Sequence, residues 1–227
     1  MAVIYLLRHG QASFGTGEYD RLSELGKQQA ELTGRALARR LDTIDLLAHG
    51  EMERQRDTAT ILAAKFGDTA PPQVLTGLNE FDHEEIVFRL KPAYRNKAVM
   101  MADLARTLQP RAAFQKIFEQ ALTRWISGEY DEYTEPYAAF SDRSFAAFET
   151  AAEGLTGNAV LSSSSGAISA ITARLLGLGP DGWQELNRVM VNGGLTKVVI
   201  GKRGYSLVTI NEHAHLEAAG SEFLTYR

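Results

Sequence analysis

The chain has 227 residues, of which 44% are hydrophobic, which is typical of one large globular domain or of a core with one insertion. It carries 24 Lys and Arg against 28 Asp and Glu, and this balance argues against a general nucleic-acid-binding surface. The absence of cysteine excludes disulfide bonds, thiolate metal sites and cysteine nucleophiles. No apolar stretch reaches the length of a membrane span, and the first one lacks a basic leader. We therefore expect a soluble, cytoplasmic protein with no membrane partner.

The first predicted element is a strand over the apolar residues 3–7, buried on both faces. Arg8, His9 and Gly10 follow it and would lie at its carboxyl end, where open α/β sheets bind ligands. A neutral imidazole nitrogen attacks phosphorus without a separate base, so His9 is a candidate nucleophile. Its other ring nitrogen must then donate a hydrogen bond, which we expect a backbone carbonyl to accept. Arg8 would offer charged donors to phosphoryl oxygens, and Gly10 would let the backbone approach closely.

A polar, glycine-bearing loop follows, in which Ser13 or Thr16 is a candidate phosphate contact. Ser23 is predicted to cap the first helix. A second strand is predicted over residues 44–48, and a helix over about residues 54–66. Arg54 lies where that helix begins.

A helix N-terminus presents unbonded amides and the positive end of the helix dipole, so Arg54 there would make a second anion clamp. The alternative is that Arg54 belongs to a solvated helix face with acidic partners. Glu80 comes next, after a short strand predicted at Val74 and Leu75. A carboxylic acid beside a phosphate protonates a leaving oxygen and later activates water.

Residues 83–157 differ from the rest, because they show helical apolar patterns, many aromatic residues and no convincing strand. We predict an α-helical cap insertion that covers the catalytic edge, with most of its aromatic residues forming its own core. Strand and helix then alternate again, and residues 196–200 and 205–210 predict a terminal hairpin. The expected fold is a three-layer α/β/α sandwich around a mostly parallel sheet, forming a single domain over residues 1–227.

Five segments, in order, resemble motifs of the histidine phosphatase superfamily, whose fold is phosphoglycerate-mutase-like: residues 8–10, 22–30, 54–59, 78–80 and 210–216. They resemble in turn the family signature, its first-helix pattern, the second phosphate-binding arginine, the proton donor and the closing segment. Only the insertion lacks a recognisable motif. The resemblance implies a phosphohistidine at His9 and a proton donor at Glu80, with Arg8 and Arg54 binding the phosphoryl group. No metal or other cofactor is expected, because the arginines and the histidine neutralise the charge.

One position departs from the family pattern. The family has a second histidine after its fourth core strand, in a Ser-His-Gly context, and here the sequence reads Ser164-Ser165-Gly166. The Ser165 hydroxyl and the helix amides can bind a phosphoryl oxygen, but they cannot supply the missing charge. Losing one charge-assisted contact to the phosphoryl group costs about 2–4 kcal/mol of transition-state stabilisation. His83 lies three residues after Glu80, so we hypothesise that it fills this space. The alternative is a surface histidine.

These expectations favour hydrolysis of a phosphate monoester on a small phosphorylated substrate. The resemblance alone does not separate a phosphatase from a phosphomutase, although the glycolytic mutases have an arginine where Phe81 follows Glu80 here. A third hypothesis is that the protein is a non-catalytic module that binds phosphorylated ligands.

His213 and His215 resemble a pair of metal ligands, but no cluster completes a metal set, so we interpret them as structural.

Overall fold

The computed structural model describes residues 1–13, 20–67 and 69–226, so the phosphate contact predicted at Thr16 lies outside the described residues. The strands are, in chain order, β1 (Ala2–Arg8), β2 (Leu46–His49), β3 (Gln73–Val74), β4 (Asn158–Ser163), β5 (Leu195–Gly201) and β6 (Gly204–Glu212). The α-helices are α1 (Glu24–Ala38), α2 (Glu53–Ala63), α3 (His83–Leu90), α4 (Lys97–Ala105), α5 (Pro110–Ile126), α6 (Tyr137–Ala152), α7 (Ser165–Leu175), α8 (Pro180–Val189) and α9 (Ala214–Glu217). Within the described ranges, none of these helices has the length and apolar character needed to cross a membrane.

The six strands form one mixed sheet in the order β3-β2-β4-β1-β5-β6. The first four strands in this order are parallel to one another, whereas β5 pairs antiparallel with β1, and β6 antiparallel with β5. The predicted α/β sandwich around a mostly parallel sheet is therefore confirmed. The predicted terminal hairpin corresponds to β5 and β6.

Strand β1 lies at the centre of the sheet and is buried on both faces. Ile4 and Leu6 pack in an apolar cluster with α6 and α7, whereas Tyr5 and Leu7 pack in a second cluster with α1 and α2. Burying one such leucine or isoleucine side chain stabilises the fold by about 1.5–3 kcal/mol. The continuous apolar run at the start of the chain is explained by this burial on both faces.

Some predicted bounds differ from the structure, and one helix was not predicted. Strand β2 begins at Leu46 rather than at residue 44, because Ile44 makes only an isolated bridge to Thr69. Helix α8 was not predicted, because Pro180 was interpreted only as part of the end of the preceding helix. Proline also fits the first turn of a helix, where its missing N–H is not needed, and it begins α8 here.

The chain divides into two compact units. The first, Met1–Glu80 and Asp142–Arg227, contains the sheet, and the second, Phe81–Ser141, contains α3 to α5 and the start of α6. The second unit is helical, as the sequence predicts for this region. It is shorter than the predicted insertion of residues 83–157, because the later part of α6 packs into the core of the first unit, where Phe148 is fully buried.

Aromatic rings form the core of the second unit. The ring centroid of Phe81 lies 4.9 Å from that of Trp125 and 5.6 Å from that of Phe140, the latter in an edge-to-face arrangement. Such pairs add about 0.5–1.5 kcal/mol beyond their buried area. Trp125 and Phe140 of the predicted insertion thus pack in an aromatic cluster, whereas Phe145 and Phe148 pack against Tyr205 within the first unit.

Candidate active site

The candidate nucleophile His9 lies directly after β1, and it is only 6% exposed. Its Nδ1 lies 2.6 Å from the carbonyl oxygen of Gly10, and its Nε2 lies 3.0 Å from Nε of Arg54. A carbonyl can only accept a hydrogen bond, so Nδ1 carries the proton and donates it. The guanidinium can only donate, so Nε2 accepts. The ring therefore holds the tautomer with its lone pair on Nε2, and the bond to a backbone carbonyl that the sequence predicts is present.

The surroundings of His9 also determine its charge. Burial lowers the pKa of the His9 imidazole well below its usual value of 6.5, and the positive charges of Arg54 and Arg8 lower it further. The hydrogen bond to the Gly10 carbonyl raises this pKa but does not offset the other effects. The imidazole is therefore neutral at neutral pH, which is the form that acts as a nucleophile.

The main chain of His9 is fixed from both sides of β1. Its N–H donates to the carbonyl of Ser163 at 2.9 Å, at the end of β4. Its own carbonyl accepts from Nδ2 of Asn192 at 3.1 Å, just before β5. Asn192 is fully buried, and no sequence pattern indicated its role. Together these bonds hold His9 at the carboxyl edge of the sheet.

Gly10 has a packing role that the sequence did not reveal. A Cβ atom at Gly10 would lie 2.1 Å from the carbonyl oxygen of Gly26 in α1, so only glycine fits there. The Gly10 N–H donates to Oγ1 of Thr58 at 3.1 Å. The close backbone approach expected at Gly10 is thus made to α1 in this structure.

Arg54 lies in the first turn of α2 and is 6% exposed. While its Nε contacts His9, its Nη1 donates to Oδ1 of Asp20 at 2.7 Å. The second carboxylate oxygen of Asp20 accepts from the N–H of Glu53, the first residue of α2, at 2.9 Å. Asp20 was missed, because an isolated acidic residue before a helix resembles any surface acid. By contrast, Arg56 pairs with Asp57 on the exposed side of the helix.

Arg8 is a second buried cation beside His9, with 7% of the residue exposed. Its Nη1 donates to the carbonyl of Met190 and, at 2.9 Å, to that of Tyr226. The guanidinium is thus anchored on two main-chain oxygens, one at the end of α8 and one near the end of the chain. From this position its charge contributes to the lowered pKa of His9.

Glu80 follows a single turn of 3₁₀ helix, Thr76–Leu78. Its Oε2 accepts from the N–H of Gly166 at 3.0 Å, in the first turn of α7. Ser165 is the first residue of α7, after the N-cap Ser164. The structure therefore brings the candidate proton donor to the helix N-terminus that carries the serine.

The segment that leads to Glu80 is held by a cation that the sequence did not single out. Nη1 of Arg143 donates to the carbonyl of Gly77 at 3.0 Å and to that of Asn79 at 2.7 Å. The N-terminus of α7 is fixed in turn by Trp183 of α8, whose Nε1 donates to the carbonyl of Gly166 at 2.9 Å. The unpredicted helix α8 therefore helps to place the first turn of α7.

His83 is the first residue of α3 and is half-buried. Asp82 caps that helix, since its carboxylate accepts from the N–H of Glu85 at 2.9 Å. His83 belongs to the second compact unit, whereas the other predicted site residues belong to the first: Arg8, His9, Gly10, Arg54, Glu80 and Ser165.

The two histidines near the end of the chain have separate contacts. Nδ1 of His213 lies 2.5 Å from the carbonyl of Asn211, and Nε2 of His215 lies 2.9 Å from Oγ1 of Thr33. In the part of the chain that the structure describes, no group of three acidic, cysteine or histidine side chains is placed to hold a metal ion. Each ring therefore has a partner within the protein, and the structural role of both histidines stays a prediction.

The lowered pKa of His9 predicts how stability depends on pH. The unfolded chain takes up a proton near pH 6.5, whereas the folded protein does so only at lower pH. The stability due to the neutral ring is complete above the unfolded pKa and is lost as the pH falls toward the folded pKa. The free energy of unfolding is measured in urea at about pH 7.5 and about pH 5.5. We expect it to fall less between these two pH values in His9→Asn than in the unaltered protein. Equal losses in the two proteins would contradict this account of His9.

Comparison with known proteins agrees with the fold. The Bacillus stearothermophilus protein YhfR superimposes with a TM-score of 0.68 at 15% identity, covering 95% of this chain and 99% of that one. A mycobacterial glucosyl-3-phosphoglycerate phosphatase in complex with inorganic phosphate gives a TM-score of 0.62 at 24% identity, covering 94% and 98%. A phosphoserine phosphatase mutant from Entamoeba histolytica in complex with phosphoserine gives 0.63 at 17% identity, covering 95% and 100%. A search of curated protein sequences found no match.

The sequence itself matches the histidine phosphatase superfamily (branch 1) over residues 4–100 and 105–213. These ranges include the end of β1 and the first turns of α2 and α7, where the side chains around His9 and Glu80 lie. The chain therefore belongs to the histidine phosphatase superfamily.

Proposed function

We propose that this protein is a phosphatase that hydrolyses a phosphate monoester of a small molecule through a phosphohistidine on Nε2 of His9. The observation that carries the proposal is the tautomer of a buried, neutral imidazole whose Nδ1 proton is donated to the Gly10 carbonyl. Membership of the family supports it. Two proteins with the same fold are named as phosphatases, and their structures contain phosphoserine or inorganic phosphate.

In the first step, the Nε2 lone pair of His9 attacks phosphorus as the bond to the leaving oxygen breaks. Glu80, protonated at this stage, gives its proton to that oxygen. In the second step, water attacks the phosphorus and Glu80 takes a proton from it. The N–P bond breaks, its electron pair returns to Nε2, and inorganic phosphate leaves. Atoms and charges balance without any group beyond the side chains, the substrate and water.

The arginines stabilise the charge on the transferred group. Arg54 now donates to Nε2, so its Nε must leave that nitrogen before phosphorus reaches it, and the guanidinium then donates to phosphoryl oxygens. Arg8 supplies a second buried positive charge. The positive charge that the His9 ring gains on phosphorylation is stabilised by the Gly10 carbonyl, which already accepts the Nδ1 proton.

We also propose that Ser165 occupies the position of the family's second histidine. As the first residue of α7, it offers a hydroxyl and a helix N-terminal amide to a phosphoryl oxygen. Neither group carries a full charge. In this proposal, His83 supplies the charge that Ser165 lacks.

A screen of phosphorylated metabolites for phosphate release tests the function. We expect release with at least one of them, and a loss of about 10³-fold or more in His9→Ala, because the variant lacks the nucleophile. His49→Ala is the matched control, since His49 is equally buried at the end of β2 and its Nδ1 lies 2.6 Å from the Gly50 carbonyl. Undiminished release in His9→Ala would refute the mechanism. Tight binding of a metabolite without any release would identify a binding module instead.

The role of His83 has its own test. His83→Ala should lower kcat by about 10²-fold, the loss expected for one charge-assisted contact to the transition state. Adding Ser165→His to that variant should restore part of the loss. Asp82→Ala is the control, because it removes the cap of α3 without removing the imidazole. Full activity in His83→Ala would show that His83 is only a surface residue.

A further inference from the structure

The carboxylate of Asp20 lies where an anion would bind. One oxygen accepts from the Arg54 guanidinium at 2.7 Å, and the other accepts from the first amide of α2, that of Glu53, at 2.9 Å. A guanidinium and a helix N-terminal amide are also the donors that recognise phosphoryl oxygens. Asp20 therefore uses donors that the transferred group needs in the proposed reaction.

The burial of the two partners is unequal. The Arg54 side chain is 7% exposed, whereas the Asp20 side chain is 44% exposed. A carboxylate that is nearly half in water loses little when it is released, but a buried guanidinium that loses its anion is strongly destabilised. The pair is therefore suited to an exchange in which Arg54 stays buried and one anion replaces another as its partner.

Asp20 is also linked to the nucleophile through Arg54. The same guanidinium that binds Asp20 through Nη1 donates through Nε to Nε2 of His9. In this arrangement, the lone pair that would attack phosphorus is already occupied by a hydrogen bond. A phosphoryl group that draws Arg54 toward itself would release Nε2 and Asp20 together.

We propose that Asp20 is an internal anion that competes with the phosphoryl group for Arg54 and the N-terminus of α2. It thereby sets how weakly the site holds inorganic phosphate, and so favours release of the product. This inference rests on the proposed function, because it requires that the site binds phosphate. In the proposed site, Asp20 opposes the binding of phosphate rather than supporting it.

The simpler explanation is that Asp20 only caps α2. The N-cap residue Met52 makes no side-chain hydrogen bond, so the Glu53 amide needs an acceptor from elsewhere. A pure cap and a competing anion predict opposite changes in phosphate affinity when the carboxylate is removed. A cap supports the site, so its loss leaves phosphate binding unchanged or weaker. A competitor opposes binding, so its loss makes phosphate binding tighter.

Calorimetric titration of the full chain with inorganic phosphate distinguishes a cap of α2 from a competing anion. We expect Asp20→Asn to lower the dissociation constant for phosphate about fivefold, the factor expected for one half-exposed ion pair. Asp57→Asn is the matched control. It also removes one negative charge near the N-terminus of α2, but Asp57 pairs with Arg56 and not with Arg54. Its dissociation constant should equal that of the unaltered protein. Asp20→Ala is titrated as well, so that the result does not depend on the folding of one variant.

Unchanged or weaker phosphate binding in both Asp20 variants, with hydrolysis still measurable in the unaltered protein, would overturn this inference and leave the phosphatase standing. Equal tightening in Asp57→Asn would also overturn it, because the effect would then be general electrostatics. If the unaltered protein neither binds phosphate nor hydrolyses any monoester, both proposals fail.

Discussion

The rest of the site depends on the hydrogen bond from Nδ1 of His9 to the carbonyl of Gly10. It fixes the single proton of a buried imidazole on one nitrogen and leaves a lone pair on the other. Burial and two neighbouring guanidinium groups keep the ring neutral by lowering its pKa. The same cations stabilise a phosphoryl group in the proposed reaction. In that proposal, one arrangement provides both an uncharged nucleophile and a positive environment for the phosphoryl group.

The fold supports this bond by fixing the main chain around it. The Gly10 amide is held by Thr58 of α2, and its α-carbon lies against Gly26 of α1, where a side chain would not fit. The main chain of His9 is bound on its other sides by Ser163 and Asn192. Helices α1 and α2 and the segments next to β1 therefore fix the main chain of His9 and Gly10 at the carboxyl end of a central strand.

The sequence predicted those parts of the site in which position along the chain determines position in space. Arg54 and Glu80 each follow a strand of a parallel sheet, and the carboxyl ends of such strands meet at one edge. Asp20 and Asn192 were not predictable in this way, because their roles come from single contacts with distant residues rather than from any periodic pattern. For the fold as well, elements with a clear pattern along the chain were predicted and elements without one were missed. Strongly apolar elements such as β1 were predicted, whereas α8 was missed because Pro180 fits a helix start as well as a stop.

The central claim, that Nε2 of His9 carries the phosphoryl group during turnover, is tested most directly by trapping the intermediate. The enzyme is mixed with a labelled substrate, quenched in base, in which phosphohistidine is stable, and digested for peptide mapping. We predict a label that is lost in acid, located on the peptide containing His9, and absent from His9→Asn. Turnover without any label on His9, or a label on another residue such as Ser165 or His83, would contradict the account.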